Sequence, residues 1–343
     1  MRKENISILL ILIMLLSSCF KEDEKVMPHD PGNLTTKTVS ISNQDYPYLY
    51  QVYYSLSNDA VVSQNLKGEW DLGFDCSESG WRIILNSSCF MYAANTGDKD
   101  ISLSTDTTGL TWKFDKSDGN PDSNAIGRWF EYNTVDSSLV YPAEVYVFNR
   151  GYNEKGKLRG LKKVVFDSLS QNVYYLRFAD IDGSNITSVT ISKEDHVNYT
   201  FLNFDNGGQQ LTLEPNKQDW DLLFTQYTTL LFTDDGQPKD YLLTGVLLNP
   251  YNTKAMQDSS INFFNVDYSV ATGFNLTNDL DVIGYDWKDI VGDVNSGQVT
   301  YVIIPNLYYV IQDKMGFYYK LRFISFYNNA GLRGCPTFEF QKL

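Results

Sequence analysis

Short apolar runs separated by polar residues recur along this chain, a pattern typical of β-strands. Stretches such as 145–148, 300–304 and 308–311 are rich in Val, Ile, Tyr and Phe, which pack well on a pleated surface. Clusters of Asp, Asn and Gly separate such stretches, for example Asp118-Gly119 and 206–208, and these residues favour tight turns. Because no long stretch has a 3.6-residue period, the sequence predicts an all-β, antiparallel fold.

Several motifs occur twice in the same order, which indicates duplication of a whole domain. Trp70-Asp71 in the first half corresponds to Trp220-Asp221 in the second. Each is followed by a Leu-Asn pair, a lone Trp and a Tyr-Tyr pair, and the Tyr-Tyr pair comes 104 residues after the Trp in one half and 98 in the other. These later members are Leu85-Asn86 and Leu248-Asn249, Trp129 and Trp287, and segments 174–178 and 318–323.

The duplication predicts two tandem antiparallel β-sheet domains of ordinary size. We place the first at residues 37–193 and the second at 194–343. The seam falls between 191 and 208, because one strand pattern ends there and a new one begins at 199–202.

The repeated residues are expected to form the scaffold. Trp70 and Trp220 should bury their rings between sheets while each indole N–H finds a partner. Asp71 and Asp221 should accept backbone hydrogen bonds. The arginines of the Tyr-Tyr segments, Arg177 and Arg322, should pair with a carboxylate or face solvent.

The N-terminus predicts a lipoprotein signal peptide over residues 1–18. A positively charged start precedes the apolar stretch 6–16, which is too short to span a bilayer, and segment 16–19 (LSSC) resembles a lipobox. Cys19 would carry the acyl chains, and residues 19–36 would form a flexible tether. The acidic run 21–24 resembles export signals of surface lipoproteins, so we expect a lipid anchor in the outer membrane and exposure to the cell exterior.

Charge and cysteine content narrow the possible partners. The chain has 28 Lys and Arg against 42 Asp and Glu. Removing 1–18 takes away two basic residues and one acidic, leaving 26 against 41, a net charge of −15. Such an acidic chain is not expected to bind nucleic acid through its net charge.

Three cysteines follow Cys19, so at least one thiol is free, although Cys76 and Cys89 could form a disulfide bridge.

Motifs of the common enzyme classes are absent from the sequence. It has no Gly-x-Ser-x-Gly elbow, P-loop, His-Glu-x-x-His pair or dinucleotide-binding glycine pattern. Its two histidines, His29 and His196, lie in the tether and near the seam, so a Ser-His-Asp triad is not expected. No cysteine spacing resembles a zinc site. We therefore predict a binding protein without catalytic residues or a metal site, with a carboxylate-based hydrolase as a distant alternative.

The C-terminal segment carries the most specific pattern. Segment 316–323 (GFYYKLRF) is followed by 326–329 (FYNN) and by 336–340 (PTFEF). Together with 220–224 (WDLLF), this resembles the HmuY family of haem-binding lipoproteins. The resemblance covers about residues 197–343 well and, through the repeat, about 37–193 more weakly. It implies two tandem domains of HmuY-like type and delivery of the ligand to a TonB-dependent outer-membrane receptor.

The resemblance also implies haem or a related porphyrin as the ligand. Haem iron is ligated by His, Met, Cys or Tyr, and the two-histidine ligation of the family cannot occur here within one domain. Some relatives use methionines. Met256 and Met91, which follow the Asn of each repeat by seven and five residues, and Met315 are therefore the candidate haem ligands. The alternative is that these methionines fill gaps in a core or lie in flexible loops.

The main competing hypothesis is a glycan-binding surface lipoprotein of a carbohydrate uptake system, with Trp and Tyr as stacking platforms for sugar rings. Aromatic residues make up 15% of the chain. This richness favours neither hypothesis, because the cores of β proteins use the same residues.

Overall fold

The structure, a computed structural model, describes residues 31–343 except 137, 234 and 294–297. The predicted signal peptide, Cys19 and residues 20–30 of the predicted tether lie outside the described residues. The tether prediction was too long at its C-terminal end, because strand β1 (Thr35–Thr38) begins inside it. The chain is already tied down at Gly32, whose N–H donates to the carbonyl of Lys342 at 2.9 Å.

The predicted all-β fold is confirmed, since almost all regular structure in the described residues is antiparallel β-strand. After β1 the strands are β2 (Tyr50–Ser55), β3 (Ala60–Leu66), β4 (Leu72–Asp75), β5 (Ile83–Leu85), β6 (Tyr92–Asn95), β7 (Glu131–Tyr132), β8 (Leu139–Val140), β9 (Val145–Asn149), β10 (Leu161–Ser170), β11 (Val173–Ala179), β12 (Thr187–Ser192), β13 (Tyr199–Asn203), β14 (Gln209–Leu211), β15 (Leu222–Phe232), β16 (Pro238–Leu248), β17 (Lys254–Asp258), β18 (Lys288–Asp293), β19 (Gln298–Ile303), β20 (Tyr308–Gln312), β21 (Tyr318–Tyr327) and β22 (Arg333–Lys342). A short helix, α1 (Tyr268–Thr272), begins at Asp267, whose carboxylate accepts the N–H of Val270 at 2.9 Å.

The long strands form four sheets. The first outer sheet has the order β12-β11-β10-β9-β6, and the first inner sheet has the order β14-β13-β4-β5. The second inner sheet has the order β16-β15-β2-β3, and the second outer sheet has the order β1-β22-β21-β20-β17. Two small hairpins, β7-β8 and β18-β19, lie apart from these sheets.

Each outer sheet packs on its inner sheet, which gives a first and a second sandwich. The core of the first sandwich includes Phe74 and Leu202 from the inner sheet and Phe148 and Leu176 from the outer sheet. The core of the second includes Phe224 from the inner sheet and Leu321, Phe338 and Phe340 from the outer sheet. These cores follow from period-2 alternation, which turns one face of each strand inward.

The sandwiches exchange strands. β2 pairs with β15 in the second sandwich, with Val52 opposite Phe224, and β1 pairs with β22. In the other direction, β13 pairs with β4 of the first sandwich, with Thr200 opposite Phe74. The predicted boundary at 193/194 therefore does not separate the sheets, and residues 32–343 form one compact unit. The sequence did not predict this exchange, because a strand-like stretch identifies a strand but not its partner.

The two sandwiches have the same order of strands, and this assigns counterparts to the repeated motifs. β4 and β15 follow the two Trp-Asp pairs, and β5 and β16 end at the two Leu-Asn pairs. The Tyr-Tyr segments do not correspond in this way, because 174–178 lies in β11 whereas 318–323 lies in β21, the counterpart of β10. The predicted correspondence of the two Tyr-Tyr segments was therefore wrong. Duplication of a whole domain stays a prediction.

The arginines of the Tyr-Tyr segments explain why the two stretches look alike. Arg177 in β11 pairs with Asp167 in β10 at 2.7 Å, and Arg322 in β21 pairs with Glu339 in β22 at 2.6 Å. The ion pair thus joins the corresponding two strands in both sandwiches, but the cation and the anion have exchanged strands. The two segments look alike because each is a non-edge strand of its outer sheet. Each has buried aromatic residues on one face and an arginine in an ion pair on the other.

The strand exchange predicts which fragments fold. Fragments 37–193 and 194–343 should lack cooperative unfolding when expressed separately, because the first lacks β13 and β14 and the second lacks β1 to β3. Fragment 67–214 contains every strand of the first sandwich and serves as the matched control that should fold better than 37–193. Urea unfolding followed by circular dichroism measures this. A cooperative transition of isolated 194–343 would contradict the prediction.

Candidate functional site

Asp71 fixes the first Trp-Asp motif in place. It is fully buried and pairs with Arg150 (Nε–Oδ1 2.9 Å) and Arg159 (Nη2–Oδ1 2.9 Å). Its Oδ2 also accepts the backbone N–H of Phe204 at 2.9 Å, at the end of the exchanged strand β13. The predicted role as a backbone acceptor is confirmed, and the two guanidinium groups compensate the burial of the carboxylate.

Asp221 occupies the same position in the second sandwich. It is fully buried, pairs with Lys314 (Nζ–Oδ1 3.0 Å) and accepts the N–H of Leu56 at 2.7 Å, just after the exchanged strand β2. Burial raises the pKa of this carboxyl, and the Lys314 ammonium opposes that shift. Both aspartates therefore hold the chain segment that arrives from the other half of the sequence.

The two tryptophans lie where the inner sheets face each other, and their predicted burial is confirmed. Nε1 of Trp70 donates to Oε1 of Gln51 at 2.7 Å, and Nε1 of Trp220 donates to Oε1 of Glu214 at 3.2 Å. Each Trp carbonyl accepts the side-chain amide of the Leu-Asn motif, at 2.8 Å from Asn86 and 2.8 Å from Asn249. These contacts are structural, as the sequence predicted.

A cavity of about 110 Å³ lies between the inner sheets. Its walls are mostly apolar and come from both sandwiches. From the first sandwich they include Trp70, Ile84, Tyr199 and Phe201, and from the second Tyr53, Trp220, Leu223, Leu247 and Leu280. The cavity is therefore built by the face of each inner sheet that does not pack into a sandwich core.

Two larger grooves share walls with this cavity. One, of about 390 Å³, is lined by Asp75, Trp81, Arg82, Asp118 and Asn278, among others, and the other, of about 340 Å³, by Arg82, Tyr199, Lys217 and Tyr251, among others. Pro250 lines the inner cavity and both grooves. We call the inner cavity and the two outer grooves together the cleft.

Arg82 stands between the two outer grooves. Its Nη1 donates to the carbonyl of Gly119 at 2.5 Å, and its Nη2 donates to the hydroxyl of Tyr199. Nε of Arg82 is buried and has no hydrogen-bond partner within the described part of the chain. An unpaired buried donor is costly, and the side chain that carries it lines both outer grooves.

Glu214 is the buried carboxyl of the cleft and is only 5% exposed. Oε2 accepts the N–H groups of Asn198 at 3.1 Å and Tyr199 at 3.0 Å, and Oε1 accepts from Asn198 Nδ2 at 2.5 Å and from Trp220. Burial raises its pKa to about 7, although these hydrogen bonds oppose the shift. Glu214 therefore links the two sandwiches by hydrogen bonds, and its charge changes with pH.

The structure does not bring the three candidate methionines together. Met91 is 0% exposed in the core of the first sandwich, and Met256 lies partly buried beneath segment 261–276 on the outer face of the second outer sheet. Met315 is 72% exposed in the turn before β21. None of the three lines the cleft.

The repeat argument for Met91 and Met256 was wrong. Met256 lies opposite Val310, and its counterpart in the first sandwich is Ala94, opposite Val147. Met91 lies three residues earlier and faces the sandwich core. Counting residues from the Asn of each repeat could not reveal this difference, because the two connections differ in length.

Sequence reasoning missed the cleft residues Arg82, Tyr199 and Glu214. The only usable signal was the requirement that a buried indole N–H find an acceptor. That requirement predicts an acceptor near Trp220 but does not identify Glu214, six residues earlier.

The described cysteines Cys76, Cys89 and Cys335 are all free and buried, so the possible Cys76–Cys89 bridge is not formed. Among the described residues, no group of three or more His, Cys, Asp and Glu side chains is placed to hold a metal ion. No helix in the described part of the chain has the length and apolar character needed to cross a membrane.

This architecture is an all-β scaffold with a cleft between two sandwiches. The family model described as HmuY protein matches residues 47–340, so the chain belongs to the HmuY family. Members of this family are binding proteins rather than enzymes. No curated protein matches the chain.

Solved structures similar to this chain include two apo proteins. The apo HmuY analogue of Tannerella forsythia (TFO) is 8% identical, with a TM-score of 0.29 over 92% of this chain and 98% of that one. Apo PinO from Porphyromonas gingivitis is 9% identical, with a TM-score of 0.29 over 91% of this chain and 97% of that one. Scores this low carry no argument about the site of this chain.

The Asp71 contacts predict a large loss of stability on truncation. Asp71→Ala leaves the nearly buried guanidinium groups of Arg150 and Arg159 without this anion, so the free energy of unfolding should fall by about 3–5 kcal/mol. Asp167→Ala is the control, because the Asp167–Arg177 pair is about one-third exposed and should cost at most about 1 kcal/mol. Urea denaturation measures both values. Equal losses would show that Asp71 does not have this role.

The raised pKa of Glu214 predicts a pH-dependent stability. The folded state favours the neutral carboxyl, so between the ordinary pKa of 4.5 and about 7 the folded protein binds more protons than the unfolded one. The free energy of unfolding should therefore fall by about 3 kcal/mol as the pH rises from 4.5 to about 7. Above about pH 7 this carboxyl should cause no further fall. Glu214→Gln does not titrate, and its unfolding free energy should lack this component. If the unfolding free energies of the two proteins depend on pH in the same way, the assignment to Glu214 is contradicted.

Proposed function

We propose that this protein binds haem or a related porphyrin in the cleft and supports its uptake. Family membership over residues 47–340 supports a ligand of this class. The observation that carries the proposal to the cleft is the unpartnered, buried Nε of Arg82, whose side chain lines both outer grooves and donates to Tyr199 of the apolar inner cavity. A tetrapyrrole has an apolar ring and two carboxylates, so it needs both an apolar wall and a cation.

The size of the outer grooves and the cations that line them support this ligand class. The outer grooves measure about 390 and 340 Å³, within the range of roughly 300–1,000 Å³ that is usual for small-molecule pockets. Arg82 and Lys217 supply the cations for carboxylates, and Trp81 and Tyr251 supply aromatic surface for the ring. Haem bound here would bring its own iron, and these side chains would hold and orient the ring.

The proposal includes the lipid anchor and the route of the ligand. Cys19 would be acylated and would hold the protein at the outer membrane, facing the cell exterior. A TonB-dependent receptor would accept the ligand from the cleft. The motif that resembles a lipobox supports the first statement, and the family supports the second.

Ligation by methionine stays a prediction and requires a site outside the cleft. Met315 is accessible and Met256 partly so, whereas Met91 could ligate haem only if its core opened. The cleft and the methionines are therefore two distinct placements of the same ligand, and variants can separate them.

A glycan is the second candidate ligand, and the polar residues of the grooves favour it. One groove carries Asp75, Ser77, Asp118 and Asn278 around the aromatic surface of Trp81. Carboxylates and amides bind sugar hydroxyls, and an indole can stack on a sugar ring. The same carboxylates would repel the carboxylates of a porphyrin.

The first test is a spectroscopic titration of the mature protein with ferric haem and with iron-free protoporphyrin IX. Both should bind, and Arg82→Gln should weaken both by about tenfold or more, because it removes a charge-assisted hydrogen bond worth about 1.5–3 kcal/mol. Arg177→Gln, on the outer sheet, is the matched control and should bind like the unaltered protein. Absence of binding by either tetrapyrrole, together with oligosaccharide binding that Trp81→Ala abolishes, would assign the cleft to glycans.

A further inference from the structure

The cleft contains one type of side chain that can ligate haem iron. Among the described residues that line the inner cavity and the two outer grooves, tyrosine is the only one of the four ligating types, His, Met, Cys and Tyr. The three tyrosines are Tyr53, Tyr199 and Tyr251. If the porphyrin binds in the cleft, its iron ligand is therefore the tyrosine whose phenol is best placed.

Tyr199 is held rigidly and has a cation at its hydroxyl. Its backbone lies at the start of β13, opposite Asp75 of β4, and its N–H donates to Glu214 at 3.0 Å. Nη2 of Arg82 donates to the phenolic oxygen, and the guanidinium carbon lies 5.7 Å from the ring centroid. Arg82 is itself fixed by the carbonyl of Gly119. A phenolate at this position would keep a charge-assisted hydrogen bond.

The other two tyrosines lack this arrangement. Tyr53 packs edge-on against Trp220, with ring centroids 5.0 Å apart, and burial raises its pKa well above the ordinary value, an effect that Glu214 increases. The Lys217 ammonium lies over the ring of Tyr251, 5.1 Å from its centroid, and donates to the carbonyl of Asp195. That cation therefore does not donate to a phenolic oxygen.

We propose that Tyr199 ligates the iron of ferric haem through its phenolic oxygen and that Arg82 positions and stabilises the phenolate. This inference rests on the proposed function. The Oη–Fe(III) bond forms, a water leaves the iron, and the phenolic proton passes to solvent in the open outer groove. The iron stays ferric, so no electron donor or acceptor is needed.

Release of one proton makes the affinity depend on pH. Burial raises the pKa of Tyr199 to about 12, while the Arg82 guanidinium lowers it and Asp75 and Glu214 raise it. Affinity for ferric haem should therefore rise by about tenfold per pH unit below the pKa of this phenol, wherever Glu214 does not itself titrate. Iron-free protoporphyrin IX has no metal to ligate, so its affinity should lack this increase.

The decisive comparison uses Tyr199→Phe in the full mature chain, with ferric haem and iron-free protoporphyrin IX as probes. The variant should bind ferric haem at least about tenfold more weakly and lose the phenolate-to-iron charge-transfer absorption, but bind protoporphyrin as before. Tyr175→Phe, at an exposed position of β11 that does not line the cleft, is the matched control and should keep both the affinity and the spectrum. Urea denaturation of each variant verifies the fold, and the unchanged protoporphyrin affinity reports an intact cleft.

Three results would overturn the assignment. An unchanged haem spectrum and affinity in Tyr199→Phe would remove Tyr199 as ligand while leaving the proposed function intact. A spectrum that changes only in Met256→Leu or Met315→Leu would move the iron to a thioether. Failure of the unaltered protein to bind either tetrapyrrole would reject the proposed function and this inference together.

Discussion

Two buried carboxylates hold the architecture together. Asp71 and Asp221 each follow a buried Trp, and each accepts an N–H from a strand contributed by the other half of the sequence. A buried carboxylate is stable only with compensating cations and donors, so each aspartate requires its basic partner and its incoming strand at once. The exchange of strands, the pairing of the inner sheets and the cleft between them all depend on these contacts.

The cleft is a consequence of how the inner sheets are used. A sheet in an ordinary sandwich buries one face and leaves the other to solvent. Here the second faces of the inner sheets approach each other and carry Trp70, Tyr199, Tyr53 and Trp220. Polar groups are placed among them, because Gln51 and Glu214 satisfy the indole N–H groups. The result is an apolar cavity with a few oriented polar atoms, as expected of a small-molecule site.

The fold class and the scaffold could be predicted from the sequence, because they depend on local properties. Short apolar runs rich in β-branched and aromatic residues identified strands at 145–148 and 308–311, and the chemistry of a buried indole and carboxylate identified the roles of Trp70 and Asp71. The partners of the strands could not be predicted, because residues 50–55 carry no signal that they pair with 222–224 rather than with their own half. For the same reason the cleft was missed, since Arg82 and Tyr199 are 117 residues apart in the sequence and meet only after this pairing.

Strand β1 has a further consequence for the order of events in folding. Thr35 lies opposite Phe340, so one of the first strands of the chain completes its sheet with one of the last. Contacts of such long sequence separation slow folding, because the entropy of closing the loop is lost before the contacts form. During synthesis, therefore, β1 has no partner until nearly the whole chain has been made. The nascent protein would therefore remain without its complete second outer sheet over that time.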